Sequence, residues 1–359
     1  MAEISVQPWG QFGCQSDEII DVRTPSEYAE DHIPGAINLP VLDDDEHAVV
    51  GKIYKQVSPF KARKVGAALV SKNISRHLNE HFAHKDGSYQ PAVYCWRGGQ
   101  RSASLATILH AVGWRTSLLE KGYKSYRQAV VSALYDQPIE ANFLVVDGNT
   151  GTGKTAFLHA VAEHDIHMLD LEACANHRGS VLGGLSLGAQ PSQKMFESRI
   201  HQILSTSVGG QMILVEAEST KIGRLLLPPS IKDALLRAPA IMLEASLKAR
   251  VAHLLAIYQA ELLSDDLVAE KLDHLRQVRG NDRVDQWVEL ARMRDWESLV
   301  TCLLRDHYDP AYQHGRVNRK RAFDAPFCVL HEHGSLDNKK VAELSACLKS
   351  YASSYQHGD

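Results

Sequence analysis

FLVVDGNTGTGKTAFLHAVAEH, Phe143 to His164, decides the fold of the second half of this 359-residue chain. Its opening run, FLVV, is apolar and reads as a buried strand. KTAFLHAVAE then carries apolar residues at helical spacing. Between them Gly148 to Thr155 matches G-x-x-x-x-G-K-S/T in the strand–loop–helix setting this pattern requires. N–H groups of Gly148, Asn149, Thr150, Gly151, Thr152 and Gly153 are expected to cradle a di- or triphosphate. Lys154 would reach the terminal phosphates, and Thr155 can ligate Mg²⁺.

Downstream, strands are expected at 167–171, 211–219, 238–245 and 327–332, alternating with helices such as QKMFESRIHQILSTS. That pattern predicts a phosphate-binding α/β domain with a parallel sheet and helices on both faces. Asp170, Glu172, His177 and Arg178 gather at the carboxyl end of the sheet, where open α/β sheets bind ligands. Glu216 and Glu218 end the strand at 212–216, and an acidic residue there orients Mg²⁺ in nucleotide hydrolases. Ser246 to Tyr308 reads as added helices, either a lid over the phosphate site or a face for a partner. GRVNRKRAF (315–323) brings Arg316, Arg319, Lys320 and Arg321 close together, which suits an RNA backbone.

Upstream, the polar stretch YDQPIEANF marks a boundary. The expected domains are 1–134 and 142–359, joined by a linker at 135–141. CWRGGQRS, Cys95 to Ser102, stands in the first domain between a strand (PAVY) and a helix (SASLATILHAVGW). Only an ionised thiol attacks. A Gly-rich turn, the positive end of the next helix, and Arg97 and Arg101 all favour negative charge at this place. Gly98 and Gly99 permit the close backbone approach that an anion cradle needs. Near the start, Thr24, Pro25 and Glu27 have the spacing of a helix capping box. YKQVSPFKARK (54–64) interleaves Tyr54 and Phe60 with lysines, Lys61 and Lys64 among them, and is a second basic stretch suited to RNA.

DVRTPSEYAEDHIPGAINLP together with YCWRGGQRS resembles a rhodanese domain. The resemblance implies a Cys95 that carries sulfur or selenium, and a largely structural role for Asp21 and Arg23. Cys95 to Arg101 spans Cys-x5-Arg, similar to phosphatases and arsenate reductases on the same fold, and a wider loop suits a larger tetrahedral anion. Adding GNTGTGKT, ANHRGS, QPSQKMFESR and YKQVSPFKARKVGAALVS, nearly the whole chain resembles the tRNA 2-selenouridine synthases. That resemblance implies a tRNA-modifying transferase acting on wobble 2-thiouridine, with selenophosphate as selenium donor. It also implies S-geranylation from geranyl diphosphate before selenium enters, so the phosphate loop need not bind ATP. A selenophosphate supplier is then an expected partner. An ATP-dependent tRNA thiolase, a phosphatase or arsenate reductase fused to an NTPase, and a docking role for the first domain remain as alternatives.

Composition sets the outer bounds. A net charge of −4 announces no nucleic-acid binder in bulk, so any RNA contact must use local patches. No run of about 18 apolar residues occurs, and no membrane span is expected. The N-terminus lacks a basic segment followed by an apolar core, so no secretory signal is expected. The six cysteines form no Cys-x-x-Cys pair, which argues against a thiolate zinc site and a disulfide framework. A reduced cytoplasmic setting is the simplest expectation, with no tightly bound cofactor and no metal beyond Mg²⁺ at Thr155.

Overall fold

The computed structural model describes residues 4–164, 166–178, 188–207, 211–258, 265–312 and 327–355. Two compact units divide the chain, Met1–Asp136 with Glu197–His201, and Gln137–Phe196 with Gln202–Asp359.

In the first unit five parallel strands form one sheet: β1 (Ser5–Gln7), β2 (Glu18–Asp21), β3 (Ile37–Asn38), β4 (Pro91–Tyr94) and β5 (Ser117–Leu119), in the order β1-β5-β4-β2-β3. All four residues of β4 are buried. Such continuous burial on both faces is the mark of a parallel strand covered by helices. The covering helices are α1 (Pro25–Glu30), α2 (Asp44–Gln56), α3 (Pro59–Asn79), α4 (Gln100–Val112) and α5 (Tyr123–Val131). Ile20, Val93, Leu105, Leu109, Ile74 and Trp114 share one core that includes Cys95. Asp21 and Arg23 take the structural role expected of them. They form a fully buried ion pair of 2.6 Å, and the Arg23 guanidinium also donates to the Asp31 carbonyl and lies 4.0 Å from the Tyr123 ring centre.

Among the described residues the second unit carries four parallel strands, β6 (Asn142–Gly148), β7 (His167–Leu169), β8 (Met212–Glu216) and β11 (Ala240–Leu243), ordered β11-β6-β8-β7. A small antiparallel pair, β9 (Lys221–Ile222) and β10 (Leu225–Leu226), stands apart from them. Around the sheet run α6 (Lys154–Ala162), α7 (Leu171–Ala175), α8 (Gln193–Thr206), α9 (Pro229–Arg237) and the C-terminal α15 (Asn338–Tyr355). Leu144, Val146, Phe157, Leu158, Leu214 and Leu344 meet in its core. The strand expected at 327–332 is instead a single bridge, Leu243 to Phe327, followed by a turn that pairs Leu330 with Leu336. A bend at Gly334, with φ +84°, folds that apolar segment back on itself before a fifth strand can form.

The added helices are α10 (Leu247–Ile257), α11 (Asp265–Asp273), α12 (Arg276–Arg279), α13 (Asn281–Arg292) and α14 (Trp296–Leu303). They own a separate core around Trp287, Val268, Leu272, Val284 and Leu299. No helix among the described residues is long and apolar enough to cross a membrane.

Candidate functional site

Cys95 leaves the end of β4 and turns into α4. Its Sγ accepts hydrogen bonds from the Gly99 N–H at 3.2 Å and from the Ser102 hydroxyl at 3.1 Å. Gly99 caps α4 without a side-chain hydrogen bond, which leaves first-turn N–H groups to an incoming anion. Cys95 is only 3% exposed, whereas Arg97, Gly98, Gly99 and Gln100 are exposed. An open cysteine between two free arginines is therefore not what the chain builds. Arg101 donates to Glu27 at 2.6 and 3.2 Å, and Glu27 at the same time completes the capping box of α1 with Thr24. Burial opposes the Glu27 charge, but the bond and charge of Arg101, the Thr24 N–H and the nearby Arg23 together outweigh it and hold this carboxyl below its ordinary range. Arg97 makes no ion pair among the described residues, so it is the cation of this loop available to a ligand.

Gly122 escaped the sequence reading, although it decides the loop's position. The Tyr123 N–H donates to the Cys95 carbonyl at 2.8 Å and the Lys124 N–H to the Trp96 carbonyl at 3.1 Å. Gly122 has φ +59°, and a Cβ there would meet the Cys95 carbonyl oxygen, the Gly98 nitrogen at 2.5 Å and the Arg97 nitrogen at 2.9 Å. All three are backbone atoms and cannot swing aside. Gly122→Ala is expected to displace the whole loop and to cost more than about 1–3 kcal/mol, the usual price of strain at such a backbone position. Thermal unfolding and the iodoacetamide reaction rate of Cys95 check this; an unchanged melting midpoint with an unchanged rate would contradict it.

The phosphate loop forms as its motif dictates. Gly151 and Gly153 have φ +83° and +81°, and Gly153 caps α6 with no side chain in the way. Thr152 Oγ1 donates to the Asn149 carbonyl at 2.9 Å, and the Lys154 ammonium to the Gly148 carbonyl at 3.0 Å. Lys154 is buried, which disfavours its charge, but Tyr312, Glu218, Glu216 and Glu172 more than compensate and hold its pKa above the ordinary value. The added helices clamp the loop from outside: Arg250 donates to the Thr150 carbonyl at 2.8 Å and pairs with Asp309 at 2.6 and 3.0 Å, while Asn149 donates to Asp309 at 3.0 Å. Neither Arg250 nor Asp309 belongs to a motif, so only the fold reveals them.

Carboxylates converge beside Lys154. Thr155 Oγ1 lies 2.9 Å from Glu172 and 3.1 Å from Glu216. Oxygens of Glu172, Glu216 and Glu218 all lie within 4.8 Å of one another. Burial and mutual repulsion push Glu218 up to about 7 and Glu216 well above the carboxylate range. Asp170 plays a different part, capping α7 and pairing with His159 at 2.8 Å. Arg178 lies 5.2 Å from the Tyr258 ring centre. His177 does not line the cleft; burial lowers its pKa, and its Nδ1 has no partner among the described residues. Lys61 and Lys64 are exposed on α3. Arg316, Arg319, Lys320 and Arg321 lie outside the described residues.

The phosphate loop, the carboxylates and Arg178 line a cleft of about 540 Å³. Its polar lining includes Lys154, Thr155, Glu172, Glu216 and Glu218, and its apolar lining Leu254, Ile257 and Tyr258 from α10 and its end.

Comparison with known proteins places both units. The model of a family described as rhodanese-like domain matches residues 9–129, and one described as tRNA 2-selenouridine synthase AAA domain matches 141–274. The tRNA 2-selenouridine synthase of Verminephrobacter eiseniae is 32% identical over 338 residues, 84% of this chain and 89% of that one. The one from Marinobacter nauticus is 30% identical over 82% of this chain and 87% of its own. A third, from Nitrosomonas europaea, is 35% identical over 67% of this chain, a match that spans 63% of that relative's length. With a Cys95 loop on a rhodanese-like unit, a phosphate loop on the next and similarity running through both, the chain belongs to the tRNA 2-selenouridine synthase family of tRNA-modifying transferases.

Proposed function

We propose that this enzyme converts wobble 2-thiouridine in tRNA to 2-selenouridine in two steps, one at each anion cradle. In the first, the thiocarbonyl sulfur attacks C1 of geranyl diphosphate. A C–S bond forms, the C–O bond breaks, and pyrophosphate leaves with the bonding pair while the base loses its N3 proton. Supporting this is the composition of one cleft. Lys154 and the N–H groups of the loop would stabilise the departing diphosphate, and Leu254, Ile257 and Tyr258 offer aliphatic and aromatic surface to an isoprenoid chain in the same space. That pairing of a phosphate cradle with an apolar lining is the observation on which the reading rests.

The hydroxyl of Thr155 and the carboxylates of Glu172, Glu216 and Glu218 are hard oxygen donors close enough to fit Mg²⁺. When bound, the ion would supply charge to neutralise the diphosphate. Burial first, and then mutual repulsion, raise Glu216 and Glu218 above the carboxylate range, and a cation there would relieve the repulsion.

In the second step selenium from selenophosphate replaces sulfur at C2. The Cys95 thiolate takes the phosphoryl group, so the P–Se bond breaks and hydrogen selenide leaves with the bonding pair. Hydrogen selenide attacks C2, the C2–Se bond forms, the C2–S bond breaks, and the geranyl thiolate leaves with the electron pair and takes up a proton. Water then hydrolyses the phosphocysteine to phosphate and the free thiol. Alkylation in the first step makes sulfur a leaving group good enough for this. The Cys95 loop, with Arg97 exposed and the α4 N-terminus uncapped, supplies a cradle for the tetrahedral oxyanion of selenophosphate. A selenophosphate-forming enzyme is then the upstream partner, and the cytoplasm, where tRNA resides, the place of action.

Mass spectrometry of 2-thiouridine-containing tRNA tests the order and the cofactor demand together. Geranyl diphosphate alone should give S-geranyl-2-thiouridine, and later selenophosphate should give 2-selenouridine, both without ATP. A strict need for ATP in the first step would favour the thiolase mechanism and overturn this one.

A further inference from the structure

The α2–α3 hairpin has a charge pattern that neither cradle explains. From His47 to Asn79 the chain contains no Asp or Glu, yet it carries Lys52, Lys55, Lys61, Arg63, Lys64, Lys72 and Arg76. All seven are exposed, and none has a carboxylate partner among the described residues. In a protein whose net charge is −4 such a segment is a strong local departure.

Helical geometry arranges part of this charge in a line. Phe60, Lys64, Ala68, Lys72 and Arg76 fall on one i, i+4 ridge of α3, and all five are exposed. At 1.5 Å per residue the ridge is about 24 Å long. The opposite stripe, with Ala62, Gly66, Val70 and Asn73, is buried; a Cβ on Gly66 would lie 3.4 Å from Val50 of α2, so the small residues let the helices pack closely. At the hairpin's turn Tyr54, Val57 and Phe60 are 57%, 62% and 73% exposed. Exposed aromatics beside lysines, continued by a basic ridge, are the combination that binds unpaired nucleotides: bases stack on rings while phosphates track the charge. The hairpin is also tied to the Cys95 edge of the sheet. Asp44 at the start of α2 accepts from the Ser26 N–H at 3.2 Å, and the adjoining Glu27 holds Arg101.

We propose that this hairpin is an RNA platform, with Tyr54 and Phe60 stacking unpaired bases of the substrate tRNA and the Lys64–Lys72–Arg76 ridge following its backbone. The inference rests on the tRNA-modifying reading and adds the surface that holds the substrate.

Fluorescence anisotropy with labelled 2-thiouridine-containing tRNA, measured across a salt series, tests it on the full chain. Phe60→Ala is expected to weaken binding by about 5- to 150-fold, the range of one lost base–aromatic stack. Lys64→Gln with Lys72→Gln should flatten the dependence of log Kd on log salt by about 1.4, two phosphate contacts to a single strand. Lys339→Glu, an exposed charge change on α15, serves as the control and should alter neither quantity. All of these substitutions are on the surface, and unchanged melting midpoints confirm folding. If the unaltered protein fails to bind tRNA, both the function and the platform fall. If it binds but the hairpin variants match it in affinity and salt slope, the platform alone falls. Stronger association with phosphatidylglycerol vesicles than with tRNA at equal salt, lost in the same variants, would make the hairpin a membrane-binding face and overturn the proposal.

Discussion

Lys154→Ala should lower the rate of S-geranyl-2-thiouridine formation by at least about 100-fold, the scale seen when one preorganised stabilising group is removed from a developing anion. The reason lies in the neighbourhood more than in the lysine. Its ammonium is buried and bonded to the Gly148 carbonyl, and it is the cationic side chain that faces Glu172, Glu216 and Glu218. Without it, a diphosphate would approach three carboxylates with less positive charge to offset them, Arg178 being the other cation of the cleft lining. Single-turnover kinetics with 2-thiouridine-containing tRNA measures the loss. Because Lys154 serves the departing pyrophosphate, the defect should appear in the chemical rate and persist at saturating geranyl diphosphate. A rate within about threefold of the unaltered enzyme, less than 1 kcal/mol, would show that charge at this position does not assist the step.

Cys95→Ser should produce the complementary phenotype. Serine is nearly isosteric, and its oxygen can accept the Gly99 N–H and Ser102 hydroxyl bonds that Sγ accepts now, so the loop should keep its shape. What is lost is the polarisable thiol. Geranylation should continue, 2-selenouridine should fall below detection, and S-geranyl-2-thiouridine should accumulate in tRNA. Nucleoside mass spectrometry of tRNA from cells carrying the variant reads both products at once. Equal loss of both would undo the assignment of one step to each cradle. Unimpaired selenation would reduce the first unit to a docking module.

The local form of both loops was legible before any fold was known, because each is a local device. Thr24 and Glu27 cap α1 across three residues; Gly151 and Gly153 take their left-handed turns within the motif that names them; Cys95 and Gly99 meet inside one loop. Strand alternation likewise placed β4, β6 and β8 closely. The strand expected near 327 failed because apolar content alone cannot tell a fifth strand from a bridge followed by a hairpin turn. Asp170 and Glu172 sit two residues apart and looked equivalent, yet one caps a helix and the other joins the carboxylate cluster.

From the sequence by itself came the two-part α/β architecture, the two glycine-rich loops and the acidic residues beside the second, all properties carried by residues within a few positions of one another. Tertiary structure alone decided how those loops are held and charged. Glu27 reaches Arg101 across 74 positions, Gly122 makes room for the Cys95 turn, and Arg250 with Asp309 grips the phosphate loop from the added helices. Backbone preference fixes a turn locally, but the partner of a buried charge and the space beside a loop depend on where distant segments pack, and no spacing rule encodes that.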